Sequence, residues 1–434
     1  MLETQSLQLL TEGLGHLEKD FARLPAFTAE IPGGERMNAV MAEVATRMAD
    51  NFPYFHPLYA GQMLKPPHPV ARAAYALATW INPNNHALDG GRASSAMEKE
   101  AVAQIAAMFG WHTHLGHLTS SGTIANLEAL WVAGRLHPDK KIVASEQAHY
   151  THERISGVLR LPFAKVPADS RGRMNLTALE TLLASGDVGC VVVTLGTTGM
   201  GAVDPLPEIL ELRAKYGFRI HVDGAYGGYF GLAGNLDAPA REAFNRAGEV
   251  DSIVIDPHKH GLQPYGCGCV LFADPAVGAL YKHDSPYTYF SSKDLHLGEI
   301  SLECSRAGAS AVALWATMRL LPLWPGGEFA TSLEKSRRAA LELARRLAAD
   351  SRWTVVCEPE LDIVVWAPRG VSAQAIFDEA ARLDLHLALV QMVVDGQPTL
   401  YLRSVLMKPE HESWLDEILR RLDQAFILAA ARRL

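Results

Sequence analysis

Two charged residues stand where apolar runs end. Asp223 closes "RIHVD" (219–223) and precedes the small residues "GAYGG", and Lys259 follows "SIVI" (252–255) in "DPHKH". A carboxylate at a buried strand end needs a partner, because burying it alone is costly. A lysine placed there has three uses. It can be a counter-charge to an anion, a solvated loop residue, or a partly desolvated amine beside His258 and His260 whose lowered proton affinity makes it a nucleophile. A third piece is "LTSSGTIANLEALWVAGRL" (118–136), in which Ser120, Ser121, Gly122 and Thr123 precede the apolar positions Ile124, Leu127, Leu130 and Trp131. The free N–H groups and positive dipole end of such a helix start bind phosphate. The same residues also suit an ordinary capped helix.

These residues need a scaffold, and the pattern around them is that of an α/β protein. Strands are expected at 141–145, 188–195, 218–223, 251–256 and 266–272, with helices at 122–135, 175–184 and 205–216 between several of them. Strands alternating with helices predict a mostly parallel sheet covered on both faces. Ligands of such sheets sit beyond the carboxyl ends of the strands, where all three pieces fall. A long helical stretch spans 308–350. Strands at 353–358, 361–367, 386–391 and 398–406, with helices at 372–383 and 411–432, then predict a smaller α+β unit. The expected division is an N-terminal arm (1–60), a large ligand-binding domain (61–310), and a linking helix with a small C-terminal domain (311–434).

One ligand accounts for all three pieces. Pyridoxal 5′-phosphate carries a phosphate for the helix start, a pyridine nitrogen for the acid and an aldehyde for the lysine. Asp223 and Lys259 would then address opposite sides of one ring.

The chain also resembles a known family at these residues. "SSGTIAN", "SEQAHYTHERISG", "TLGTTGMGAVDPL", "HVDGAYGG" and "DPHKHG" resemble the pyridoxal-phosphate-dependent amino acid decarboxylases of the aromatic, tyrosine and glutamate type. The resemblance runs from about "FHPLYAGQML" (55–64) to the C-terminus. Length and "DSPYTYF" (284–290) resemble the compact archaeal-type tyrosine/aspartate decarboxylases most. It implies an aspartate-aminotransferase-like (fold type I) enzyme: a large domain with a seven-stranded, mostly parallel sheet and a small C-terminal α+β domain. It implies a homodimer with shared active sites. It also implies roles. Lys259 binds the cofactor aldehyde, Asp223 partners the pyridine nitrogen, His149 stacks on one ring face and Ala225 leaves room at the other. Ser121, Gly122, Thr123 and His258 contact the phosphate, and Thr198 lies near the ring. Tyr287, followed by Tyr289 and His296, is expected to donate the proton that ends the reaction. The chain departs from the family at Gly224, where alanine is common, and at His260, which follows the lysine and is expected to border the substrate pocket.

The implied reaction is loss of CO₂ from an L-amino acid to give the amine. Candidate pocket residues are Tyr59, Gln62, Arg92 and Tyr289. Their aromatic and amide character favours a tyrosine-like substrate, and Arg92 keeps an acidic one open. Rivals are an aldehyde-forming relative, an aminotransferase using Arg403 to grip the α-carboxylate, and a non-catalytic binding protein of the same fold.

Composition bounds the rest. The 434 residues are 48 % hydrophobic, enough for a sizeable core, and carry a net charge of −8 with 40 scattered Lys and Arg. Neither nucleic acid nor a membrane surface is an expected partner. Five cysteines without framework spacing fit a reducing cytoplasm. "CGC" (267–269) reads as a buried strand rather than a metal or redox site. "HTHLGH" (112–117) matches no zinc spacing and is expected to lead into a loop.

Overall fold

The computed structural model describes residues 2–282, 295–394 and 397–432. Its larger sheet has seven strands: β1 (Leu115–Thr119), β2 (Lys141–Ser145), β3 (Phe163–Val166), β4 (Val188–Thr194), β5 (Arg219–Asp223), β6 (Ser252–Ile255) and β7 (Gly268–Phe272). Their spatial order is 1-7-6-5-4-2-3. Strands 3, 2, 4, 5 and 6 run parallel, and β7 is antiparallel to both its neighbours. Every residue of β4, β6 and β7 is buried, which is why their sequences read as unbroken apolar runs rather than alternating ones.

Helices cover the sheet and connect its strands: α1 (Gln5–Phe21), α2 (Gly34–Met48), α3 (Pro69–Thr79), α4 (Leu88–Met108), α5 (Gly122–Leu136), α6 (Thr151–Leu159), α7 (Leu176–Leu183), α8 (Leu206–Tyr216) and α9 (Ala238–Asn245). Of these, α5 packs across β6 and β7, which brings its amino end over the loop that carries Lys259. Helix α1 lies on α3, yet neither α1 nor α2 buries a residue.

The predicted 308–350 helix is two helices, α10 (Gly308–Leu320) and α11 (Glu328–Ala348). The break holds Pro322, Pro325 and Gly326, whose φ is +76°. Proline removes a helical donor and glycine takes the left-handed backbone, so the helix cannot continue. Beyond it, β8 (Trp353–Val355), β9 (Ile363–Pro368), α12 (Ala373–Arg382), β10 (Ala388–Val394), β11 (Gln397–Val405) and α13 (His411–Ala431) form the smaller unit. Its four strands are antiparallel in the order 10-11-9-8. A separate core fills it, with Trp353 and Trp366 meeting edge to face at 5.1 Å.

"HTHLGH" leads into β1, not a loop. His117 is fully buried there, its Nε2 3.0 Å from a carboxylate oxygen of Glu128 on α5. A buried acid–imidazole pair gives the polar strand residue its partner, and the apolar run is too short to announce a strand. Cys267 and Cys269 are buried free thiols in and beside β7, and burial pushes both proton affinities up, away from the reactive thiolate. Among the described residues, no cluster of His, Cys, Asp and Glu could hold a metal ion. No described helix is long and apolar enough to cross a membrane.

Candidate active site

A cavity opens at the carboxyl ends of β4, β5 and β6. Its walls include Ser121, Gly122, Thr123, His149, Thr198, Asp223, Ala225, His258 and Lys259. All nine residues expected around a cofactor therefore come together, from five separate stretches of the chain. Asn126, Thr151, Thr194, Gly196, Tyr226 and Asp256 complete the lining.

Asp223 ends β5 and is nearly buried. Its Oδ2 accepts a hydrogen bond from Nε2 of His152 at 2.8 Å, and its Oδ1 accepts from the Ala225 N–H at 3.1 Å. Burial alone would raise its proton affinity. The His152 hydrogen bond and charge, then Lys259 and the Ala225 N–H, outweigh burial and hold the carboxyl well below its ordinary range. Asp223 is thus an ionised acid pointing into a cavity, which is what a protonated ring nitrogen needs.

Two residues from β5 share that face, since strand side chains alternate. His221, two before Asp223, places Nε2 2.8 Å from Oδ1 of Asn126 and Nδ1 2.9 Å from the Ser252 hydroxyl. Burial pushes its pKa down to about 3, so the ring is neutral. Asn126 in turn donates to the Gly122 carbonyl at 2.9 Å. This chain of hydrogen bonds ties the first turn of α5 to β5 and β6, and so fixes the helix start relative to Asp223.

Ser121 caps α5, its hydroxyl accepting from the Ile124 N–H at 3.3 Å. The preceding turn is crossed at close range by β7: a Cβ on Gly268 would stand 2.5 Å from the Ser121 carbonyl carbon. The N–H groups that follow have no intrahelical acceptor and face the cavity. Lys259 lies in the loop after β6, with Nζ 3.2 Å from Oδ2 of Asp256. His258 donates from Nδ1 to the Cys267 carbonyl at 2.7 Å and tilts against Tyr265. His149 sits with Nδ1 2.8 Å from the Thr151 hydroxyl, its ring stacked on Tyr150. Burial, reinforced by Lys259 and opposed by Asp223, lowers its proton affinity, which leaves a flat neutral ring.

The site fits pyridoxal phosphate on its own chemistry. An ionised acid, an amine and an anion-binding helix end converge on one cavity, and the small Ala225 leaves room between them.

Some expectations are not met. His260 does not border the cavity: it is buried, faces away, and stands 3.2 Å from Asp362 before β9. Asp362 also accepts from the Tyr226 hydroxyl at 2.6 Å. A carboxylate from the small unit therefore claims the imidazole. Arg92 is exposed on α4 and lines no part of the cavity. Tyr59 is buried outside the lining, and its hydroxyl accepts from the Gln62 N–H at 3.1 Å. The Oε1 of Gln62 accepts from Arg403 at 2.8 Å. Arg403, on β11, also donates to the Thr198 carbonyl at 2.7 Å, so it touches the cavity wall. Tyr287 and Tyr289 lie outside the described residues. His296 is buried away from the cavity, accepting from the Leu88 N–H at 3.3 Å.

His152, Asn126, His221 and Asp256 were not singled out from sequence. A signal existed for three of them. His221 is two residues from Asp223 on one strand face, Asn126 is one helical turn from Gly122, and Asp256 is three residues before Lys259.

Fold and site together define a fold type I pyridoxal-phosphate enzyme. Residues 34–368 match the pyridoxal-dependent decarboxylase conserved domain. A probable L-aspartate decarboxylase of Halobacterium salinarum is 30% identical over 323 residues, covering 74% of this chain and 86% of the relative. A probable L-tyrosine/L-aspartate decarboxylase of Methanothermobacter thermautotrophicus is 27% identical over 372 residues, covering 84% and 96%. In fold, the chain is similar to the crystal structure of Oryza sativa TDC with PLP and tryptamine, at a TM-score of 0.79, 17% identity and coverage of 98% and 99%. The chain belongs to the pyridoxal-dependent decarboxylase family, as a carboxy-lyase acting on an amino acid with pyridoxal phosphate as its cofactor.

Proposed function

We propose that the enzyme removes the α-carboxylate of a tyrosine-like aromatic L-amino acid and releases the amine. The observation that carries this reading is one cavity holding Lys259, Asp223 and the amino end of α5. Pyridoxal phosphate supplies, when bound, a carbonyl carbon for an amine and a ring that accepts the electron pair left behind by CO₂. The chain's own groups do the remainder. The first N–H groups of α5, with Ser121, Thr123 and His258, hold the phosphate. Asp223, kept ionised by His152, holds a proton at the pyridine nitrogen. His149 and Ala225 take the ring faces, with Thr198 beside them. Lys259 acts as an amine once its proton leaves.

Arg403 orients the departing carboxylate without gripping it strongly. Three of its donors already serve the carbonyls of Thr198 and Gly61 and the Gln62 amide. Tight binding of that group would stabilise the ground state and slow its loss. Tyr287 is the proposed proton donor to Cα. Its replacement by Phe should shift products from amine toward aldehyde and ammonia, with dissolved O₂ consumed as the oxidant.

Support for a tyrosine-like substrate comes from the relative named a probable L-tyrosine/L-aspartate decarboxylase, while the aromatic cluster near Gln62 packs outside the cavity lining. Tyr54 meets Tyr59 edge to face at 4.9 Å, and Phe52 lies 4.8 Å from His386. An acidic substrate is the second reading, favoured by Arg403, a buried guanidinium with no carboxylate ion pair among the described residues. Measuring CO₂ release from each of the twenty amino acids decides it: L-tyrosine should lead, and L-aspartate leading would install the second reading. Formation of a keto acid instead would indicate transamination.

The working unit in this proposal is a cytoplasmic homodimer. Helices α1 and α2 bury nothing, while Leu7, Phe21, Val40, Met41 and Met48 stand exposed on them. An apolar face of this size calls for a partner surface. A fully active monomer in sedimentation would remove that part of the reading.

A further inference from the structure

Four consecutive residues leading into β9 join the small unit to the large domain. Glu360 accepts from the Val203 N–H at 2.6 Å. Leu361 is fully buried, and a Cβ built on Gly227 would stand 2.8 Å from its Cδ1. Asp362 is fully buried, its Oδ1 accepting from the Tyr226 hydroxyl at 2.6 Å and its Oδ2 3.2 Å from Nε2 of His260. Ile363 stands against the loop that follows Thr198: a Cβ built on Gly201 would lie 3.3 Å from the Ile363 Cβ.

Asp362 differs from the other three because both its partners belong to the site. Tyr226 lines the cavity directly after Ala225, and His260 follows Lys259 in the chain. The two rings also meet edge to face at 4.8 Å. On its other side Asp362 enters the strand pair that holds Arg403. Its carbonyl accepts from the Leu406 N–H at 2.9 Å, and the register then sets Ile363 opposite Val405 and Val365 opposite Arg403. Arg403 reaches the cavity wall at the Thr198 carbonyl. One carboxylate thus joins the turn after β5, the loop after β6 and the strand that presents the guanidinium.

Apolar contacts such as those of Leu361 and Ile363 exclude water but are non-directional. Hydrogen bonds set distance and angle. Glu360 is directional too, but its partner Val203 lies outside the cavity lining. We propose that Asp362 is a positioning residue, which locks the Arg403 strand onto the Tyr226 turn and the Lys259 loop and so sets how well the site tells an amino acid from the amine that lacks its α-carboxylate. The inference rests on the reading that Arg403 orients that carboxylate. It goes further by naming the group that holds Arg403 in register with the cavity.

The test compares kcat/KM for L-tyrosine with the inhibition constant of tyramine on the loaded enzyme. Should the amino-acid screen install L-aspartate, β-alanine is the matching amine. Asp362→Leu keeps most of the volume and removes both acceptors. In it, the amino acid should lose about tenfold relative to the amine, the weight of one hydrogen bond. A purely structural Asp362 would lower the melting temperature and leave that preference alone. Asp362→Asn should recover most of the preference: its oxygen still accepts from Tyr226, and its amide can donate to a His260 ring that burial keeps toward the neutral form. Arg403→Met should lose the preference as well. Asp362→Leu combined with Arg403→Met should lose no more than Arg403→Met alone, because residues acting through one contact are not additive. An unchanged preference in Asp362→Leu, or losses that multiply in the double variant, would overturn the proposal and leave the role of Arg403 standing. An unchanged preference in Arg403→Met would remove that role and the proposal together. If Asp362→Leu does not fold, Tyr226→Phe in the same cycle carries the test, since it unties Asp362 from the cavity wall and leaves it beside His260.

Discussion

Replacing His152 by leucine removes the group that keeps Asp223 ionised while filling most of the same space. Asp223 would keep the Ala225 N–H at 3.1 Å and the field of Lys259. Breaking a buried, hydrogen-bonded charge pair by deleting one partner costs about 3–5 kcal/mol. With two supports left, the lower end applies, about 3 kcal/mol near pH 8. The pH dependence carries the diagnosis. In the native enzyme Asp223 has a depressed proton affinity, so its stabilisation is complete above the unfolded value of about 3.9 and is lost only as pH falls through the folded value. In the variant, burial outweighs the remaining supports and raises that affinity. The variant therefore regains stability as pH falls through the raised value, where Asp223 takes up a proton. Urea unfolding of the cofactor-free proteins should show a gap of about 3 kcal/mol at about pH 8 that narrows toward about pH 5. An equal gap at both pH values would mean lost packing rather than lost charge, and would refute the reasoning.

Borohydride reduction of the loaded enzyme should fix the cofactor on the peptide containing Lys259, and label on another lysine would displace that residue from its role. Gly122→Ala drives a methyl to 2.5 Å from the Asp256 carboxylate, so it should cost about 1–3 kcal/mol of stability and weaken phosphate binding; a variant as stable as the native enzyme would contradict the close contact. Arg403→Met removes a buried charge that has no carboxylate ion pair among the described residues. Because its donors also serve the Thr198 and Gly61 carbonyls and Gln62, the change should cost about 1–3 kcal/mol of stability while lowering kcat/KM about 100-fold, and an undiminished kcat/KM would release Arg403 from the site.

Much of this architecture was legible in the sequence because the central strands are buried on both faces. β4 and β6 announce themselves as apolar runs between turn residues, and the acid and lysine at strand ends follow from them. β1 stayed hidden because Gly116 and His117 interrupt it, and the pairing of His117 with Glu128 is visible only in three dimensions. β3 is an edge strand, largely half-exposed, with a lysine in it. The residues that line the cavity were readable as local motifs. Supports such as His152 and Asp362 were not, because they act across 71 and 102 or more residues of chain. Arg92 could not be placed from sequence, because a lone arginine near a plausible pocket segment is equally suited to an exposed helix face, and in the single chain it lies exposed on α4 outside the cavity lining.

The residues that would engage the cofactor run from Ser121 to Lys259, whereas the guanidinium at the Thr198 carbonyl comes from β11, beyond the matched domain that ends at residue 368. On the roles proposed above, capture of the coenzyme and recognition of what it acts on would be written in separate stretches of one gene product. Selection, or an engineer, can rewrite the second without disturbing the first. The single hydrogen bond from Arg403 to Thr198 is a seam along which new substrate preferences could be spliced onto an unaltered chemical engine.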